Sequence, residues 1–161
     1  MKNYDYLTEV KNSYDNKVTG KNIRKSLKKE FPDIKFSVRY SSFAGGDAFD
    51  VTYTNGVQSS KVEDVVDKFQ RYKNKTNKYF RDIYGSADYV QVNRRISSEK
   101  FNAEKAKVLE DYKGLQKDEV FPTIYDLQEK YGICSNRLDY KNKGWVNVDV
   151  IANNRLFYTD L

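Results

Sequence analysis

Residues 37–56, SVRYSSFAGGDAFDVTYTNG, constrain the fold of this chain more than any other stretch. Apolar and polar side chains alternate, break at Gly45-Gly46, alternate again and stop at Asn55-Gly56. A period of two sends successive side chains to opposite faces of a strand. Ile34, Phe36, Val38 and Tyr40 therefore share one face, with Lys35, Ser37 and Arg39 on the other. Phe49, Val51 and Tyr53 alternate in the same way with Asp50 and Thr52. A hairpin is the economical connection between two such strands. The turn reads as running from Ser41 to Asp47, longer than a hairpin requires, and it presents Phe43 as a candidate partner anchor.

The flanking segments have helical spacing. Ahead of the hairpin, Thr19 is a plausible N-cap, Ile23, Leu27 and Phe31 recur on one face, and Pro32 ends the helix. Arg24, Lys25, Lys28 and Lys29 lie on its polar side, either as a solvated face or as a docking face for an acidic partner. After Asn55-Gly56, Ser60 and Glu63 have capping-box spacing, and Val62, Val65, Val66 and Phe69 form an aliphatic stripe suited to packing on a sheet. Residues 71–81, RYKNKTNKYFR, interleave cations with rings. Arg71, Lys73, Lys75, Lys78 and Tyr79 are accordingly candidate contacts to a partner, on the pattern of electrostatic attraction plus stacking. The alternative is a mobile connector kept soluble by its lysines. ADYVQVNRRIS reads as a third strand, and Ser97 or Ser98 caps a helix that Gly114 ends.

The C-terminal third has a different outline. Ile124, Leu127 and Tyr131 mark a short helix stopped by Gly132, and Ser135 or Asn136 can cap another turn. This is the outline of a helix-turn-helix, with Asn136, Arg137, Lys141 and Lys143 as candidate nucleic-acid contacts. A plain helical hairpin fits the same residues. WVNVDVIANNRLFYTDL alternates as strands around Asn153-Asn154 and reads as a β-hairpin.

The expected architecture is α+β: a small antiparallel sheet, the hairpin plus a third strand, packed by two or three helices, with a C-terminal helical and β-hairpin appendage. The expected boundaries are an arm or helix over 1–17, an α/β domain over 18–114 and the appendage over 115–161.

Composition narrows the function. The 161 residues include 14 Tyr and 9 Phe, which supply burial that a hydrophobic fraction of 39% would otherwise lack. There is no histidine and only one cysteine, Cys134, so histidine-assisted catalysis and an internal disulfide are excluded. No nucleotide-binding glycine loop or carboxylate metal motif occurs, and neither a cofactor nor a metal is expected. Asp50 with Glu63 or Asp64 is the best carboxylate pair, and its spacing does not distinguish it from surface charge. A binding protein, not an enzyme, is the expectation. The net charge of +6 points to an acidic partner, either nucleic acid or an acidic protein surface. With no apolar run of spanning length and no signal segment, the expected location is the cytoplasm, without a membrane partner.

Three pieces in order resemble a known family. IRKSLKKEFPDIKFSVRYSSFAGGDAFDVTYTNG, VEDVVDKFQ and YVQVNRRIS are similar to the basic helix, strand pair, following helix and later strand of large polyvalent protein-associated domain 29. That domain is found in phage and mobile-element polyproteins. The resemblance covers residues 20–98 and implies Phe36, Val38, Val51, Val65 and Val66 as core, with Arg24, Arg39 and Arg94 as matched charges. It implies no catalytic residues. Small freestanding versions resemble anti-CRISPR proteins, including inhibitors of Cas9-type nucleases. The expectation is a stoichiometric inhibitor that binds such a ribonucleoprotein in the infected bacterial host. The alternative is a DNA-binding regulator using the C-terminal helix-turn-helix.

Overall fold

In the computed structural model, which describes residues 4–72, 78–115 and 148–161, the first helix starts at Asp15 and not at Thr19. This helix, α1 (Asn16–Glu30), is capped by the Asp15 carboxylate, which accepts from the Val18 amide at 3.1 Å. That bond satisfies one of the donors that a first turn leaves unpaired. Thr19 is buried inside the helix, and its hydroxyl donates to the Asp15 carbonyl at 2.7 Å. Both residue types cap helices, and the upstream acid outcompetes the threonine. Asp15→Ala is expected to lower stability by about 1 kcal/mol, seen as a lower urea midpoint with an unchanged slope.

The hairpin forms as expected, from β1 (Ser37–Phe43) and β2 (Gly46–Thr54), paired antiparallel with Val38 opposite Val51 and Phe43 opposite Gly46. The connection is tighter than its sequence implied. Both strands extend inward until only Ala44-Gly45 separates them, and Gly46 takes φ +141°. A side chain there would collide with the Asp88 carboxylate, its Cβ only 2.2 Å from Oδ2.

Gln58 precedes α2 (Ser59–Val66) without a side-chain cap bond, so the Ser60–Glu63 capping box does not form. One 3-10 turn (Asp67–Phe69) follows, then α3 (Lys78–Tyr84) and β3 (Tyr89–Arg95). β3 pairs with β2 in parallel, Phe49 beside Val90 and Val51 beside Val92, giving a mixed sheet in the order β1-β2-β3. This corrects the all-antiparallel expectation. Alternation encodes which face a residue takes but not strand direction. The chain from Asn55 to Asp88 contains helices, and a helical crossover of this length is what brings a strand back parallel.

All three strands face the helices with one set of residues. Val38, Phe49, Val51, Tyr53 and Val90 meet Ile23, Leu27, Val62, Val66 and Phe69 in a single core. Each large apolar side chain buried there contributes roughly 1.5–3 kcal/mol. Residues 4–15, read from sequence as an arm or helix, form irregular turns fixed to this core. Leu7 is buried, Tyr4 packs its ring 4.9 Å from Phe80, and the Val10 amide donates to the Ile83 carbonyl.

The chain divides into two compact units, residues 1–95 and 96–161. In the second, α4 (Ser98–Leu115) is capped by Ser97, whose hydroxyl accepts from the Lys100 amide, and it continues through Gly114. Val148–Phe157 is a helix, α5, not the β-hairpin expected around Asn153-Asn154. Tertiary packing overrides the short alternation: Ile151, Ala152 and Leu156 are buried, and Arg155 pairs with Glu104 of α4 at 3.0 Å. The helix-turn-helix outline over 121–144 lies outside the described residues.

Candidate interaction surfaces

Arg71 sits at the centre of a network of ion pairs and hydrogen bonds. Its Nη2 lies 3.0 Å from Asp47 Oδ1 at the start of β2, and its Nε lies 3.0 Å from Asp88 Oδ1 just before β3. The two carboxylates are also tied to each other's backbone. The Asp88 amide donates to Asp47 Oδ1 at 2.8 Å, and the Asp47 amide donates to Asp88 Oδ2 at 3.1 Å. The Tyr14 ring lies over the guanidinium, 4.5 Å from Cζ, and Arg81 donates to the Arg71 carbonyl. Arg71 was expected to contact a partner. At 21% side-chain exposure it holds the two strand ends together.

On the other side of the same strand ends lies a row of rings. Phe43 and Tyr89 have centroids 6.1 Å apart, and Tyr72 lies 5.8 Å from Tyr89. Their exposures are 51%, 39% and 68% for Phe43, Tyr89 and Tyr72. The row continues into the sheet face that points away from the helices. Register places Ser41, Ala48 and Tyr89 side by side, then Arg39, Asp50 and Gln91, then Ser37, Thr52 and Asn93, and finally Thr54 beside Arg95. The edge-strand members of these ranks are exposed, and Asp50 and Thr52 are half-buried. The sheet is thus covered by helices on one face and carries a polar, ring-ended platform on the other.

The second surface is the outer side of α1. At 3.6 residues per turn, Lys17, Lys21, Arg24, Lys25 and Lys28 fall opposite the buried Thr19, Ile23, Ser26 and Leu27. All five cations are exposed, and no acid lies between Asp15 and Glu30. Lys28 and Lys29 also complement the carbonyl end of the helix. Two members have structural tasks as well. Arg24 donates to the Val38 carbonyl, and Lys25 Nζ reaches Thr8 Oγ1 at 2.8 Å. Lys29 Nζ stands 4.1 Å from the centroid of the Tyr6 ring.

The candidate residues therefore separate. Arg24, Lys25, Lys28 and Lys29 share α1, and Phe43 belongs to the ring row on the sheet. Lys78 and Tyr79 are exposed in the first turn of α3. Lys73 and Lys75 lie outside the described residues, as do Asn136, Arg137, Lys141 and Lys143. Of the charges singled out by family resemblance, Arg94 donates to the carbonyls of Asn55 and Gly56 at 3.0 and 2.7 Å and fixes that turn. Arg39 alone of the three belongs to the open sheet face. Sequence reasoning passed over Tyr72, Tyr89 and Arg95 as surface features. For Tyr89 and Arg95 the signal was the polar phase of the alternation that had been used to find the strands, and for Tyr72 it was the ring in the run 71–81.

Among the described residues, no cluster of three or more His, Cys, Asp or Glu is arranged to hold a metal, and no helix is long and apolar enough to cross a membrane.

The first unit is thus a two-layer α+β domain with helices on one face of its sheet and a cationic outer side on α1. The family model of large polyvalent protein associated domain 29 matches residues 14–99, more than half of the chain, and the chain belongs to that family. Membership associates it with phage proteins. No curated protein and no solved structure matches it.

Proposed function

We propose that the chain is a non-catalytic phage anti-defence protein that binds a guide-loaded Cas9-type nuclease stoichiometrically and blocks DNA cleavage in the cytoplasm of the infected host. The observation that supports this reading is the outer face of α1. Its buried side is fully committed to the core, while its exposed side offers a run of cations uninterrupted by acid. Such a face complements an acidic surface on the nuclease. A basic protein is a poor mimic of DNA, which would need the opposite sign. Charge of this kind mainly accelerates association and fixes register.

Target cleavage by the guide-loaded nuclease, measured with the protein in molar excess, tests the proposal. Cleavage is expected to fall to background with the natural chain. Reversing Lys21, Lys25 and Lys28 to Glu is expected to slow association about 10-fold or more at low salt, with the difference shrinking as ionic strength rises. Undiminished cleavage in large excess of the natural chain overturns the reading.

A further inference from the structure

The open sheet face has a chemistry that the α1 proposal does not use. Phe43, Tyr89 and Tyr72 form a continuous row of exposed rings, with centroids 6.1 and 5.8 Å apart. Beyond them the face is polar and hydrogen-bonding: Ser37, Ser41, Thr52, Gln91 and Asn93 surround the single carboxylate of Asp50. Its cations, Arg39 and Arg95, stand on the two outer strands, one on each side of the central strand. Both are exposed and make no ion pair among the described residues.

We propose that this face binds single-stranded nucleic acid, with bases stacked on Phe43, Tyr89 and Tyr72 and phosphates held at the rims by Arg39 and Arg95. Open sheets bind single strands in this way, stacking unpaired bases on exposed rings and leaving their edges to polar side chains. Asp50, Gln91 and Asn93 occupy the positions where base edges lie, and a carboxylate accepts from the amino group of cytosine. The same carboxylate repels phosphate from the centre and so directs the backbone to the arginine-bearing rims. From Tyr89 to Arg95 the face extends about 20 Å, at roughly 3.3 Å per residue, which is long enough for several nucleotides. A protein partner fits less well. Interface centres gather apolar anchors in desolvated pockets, whereas these rings border a hydrophilic plane. The chain's net charge of +6 favours the polyanion further.

Fluorescence anisotropy of the full chain with labelled oligo-dT and oligo-rU of about 12 nucleotides, within the usual site sizes, tests this directly. Binding is expected in the micromolar range at low salt, with log affinity falling by about 0.7 per phosphate neutralised as log salt rises. Tyr89→Ala and Phe43→Ala are each expected to weaken binding roughly 5- to 100-fold, while Tyr89→Phe retains it. Arg39→Gln and Arg95→Gln are each expected to reduce the salt slope by about 0.7. Lys21→Glu with Lys28→Glu on α1 should leave these ring effects in place. The DNA and RNA arms decide which strand is preferred.

Three results overturn the assignment. One is the lack of binding to either strand at roughly 100 µM, the weak end of non-specific affinity. Another is equal binding by Tyr89→Ala and Phe43→Ala. The third is ring variants that bind oligonucleotide normally but fail to inhibit a nuclease, which would make the row a protein anchor. The proposal stands apart from the nuclease reading. Oligonucleotide binding without inhibition removes only that reading, and inhibition without oligonucleotide binding removes only this one.

Discussion

Asn22→Ala is expected to destabilise the first unit by about 3 kcal/mol, a large effect for a single polar side chain. Asn22 is fully buried in α1. Its amide group donates to the Thr8 carbonyl at 2.7 Å and to the Tyr84 carbonyl at 2.9 Å, while its oxygen accepts from the Thr8 amide at 2.8 Å. One side chain thus joins the N-terminal arm, α1 and the end of α3. Truncation leaves two carbonyls and one amide without partners; a fully buried orphan costs about 1–3 kcal/mol, and water reaching the exposed Thr8 relieves part of the sum. Urea unfolding measures the loss, and hydrogen exchange supplies a local readout, because the Thr8 amide should lose its protection first. A loss below about 1 kcal/mol would mean that the arm finds other partners for these groups.

Arg71→Met is expected to cost about 2–3 kcal/mol, somewhat less than breaking a fully buried ion pair, since the cluster retains some solvent contact. The damage comes from what remains. Asp47 and Asp88 would face each other with no cation between them, at the point where the central strand begins and the parallel strand joins it. Arg71→Lys is expected to recover only part of the loss, because a point charge cannot bridge two carboxylates as a planar fork does. A double-mutant cycle with Asp88→Asn measures the coupling: the double variant should lose clearly less than the sum of the two single variants. Strict additivity would show that the ion pair contributes nothing. A binding experiment on an Arg71 variant must be read with this structural role in mind.

The elements that could be read from sequence are those whose signal is local. The Val62–Val66–Phe69 stripe, the two halves of the hairpin and the third strand all announce their inner face by period; Val38, Val51, Tyr53 and Val90 are buried as the period implied, whereas Tyr40 at the outer end of β1 stays 41% exposed. What escaped depends on partners distant in sequence. The direction of β3 is set by the crossover before it, not by YVQVNRR. Asn22 reads as one more polar residue in a basic helix until Thr8 and Tyr84 are seen around it. Arg71 reads as the first cation of a cationic run, and only the folding of Asp47 and Asp88 onto it separates it from its neighbours. At the C-terminus, NVDVIANNRLF alternates just enough to imitate strands, and the helix appears only through Ile151, Ala152 and Arg155 against α4. The candidate surfaces were legible in half. The α1 cations were recognised as a group, but the sheet platform was not, because the polar phase of a strand is easily dismissed as the side facing water.

The docked arm changes what counts as the portable segment of this protein. The family match begins at residue 14 and ends at residue 99, whereas Tyr4, Leu7, Thr8 and Val10 are anchored in the core and to the α1–α3 framework. A segment cut at the family boundary would carry Asn22 with its Thr8 partners deleted and Phe80 stripped of Tyr4. The unit of inheritance and the unit of folding are therefore offset. Any relative that carries the matched segment at a different point in a longer chain must supply its own replacement for these few preceding residues. That junction is where the stability of the matched segment depends on what precedes it.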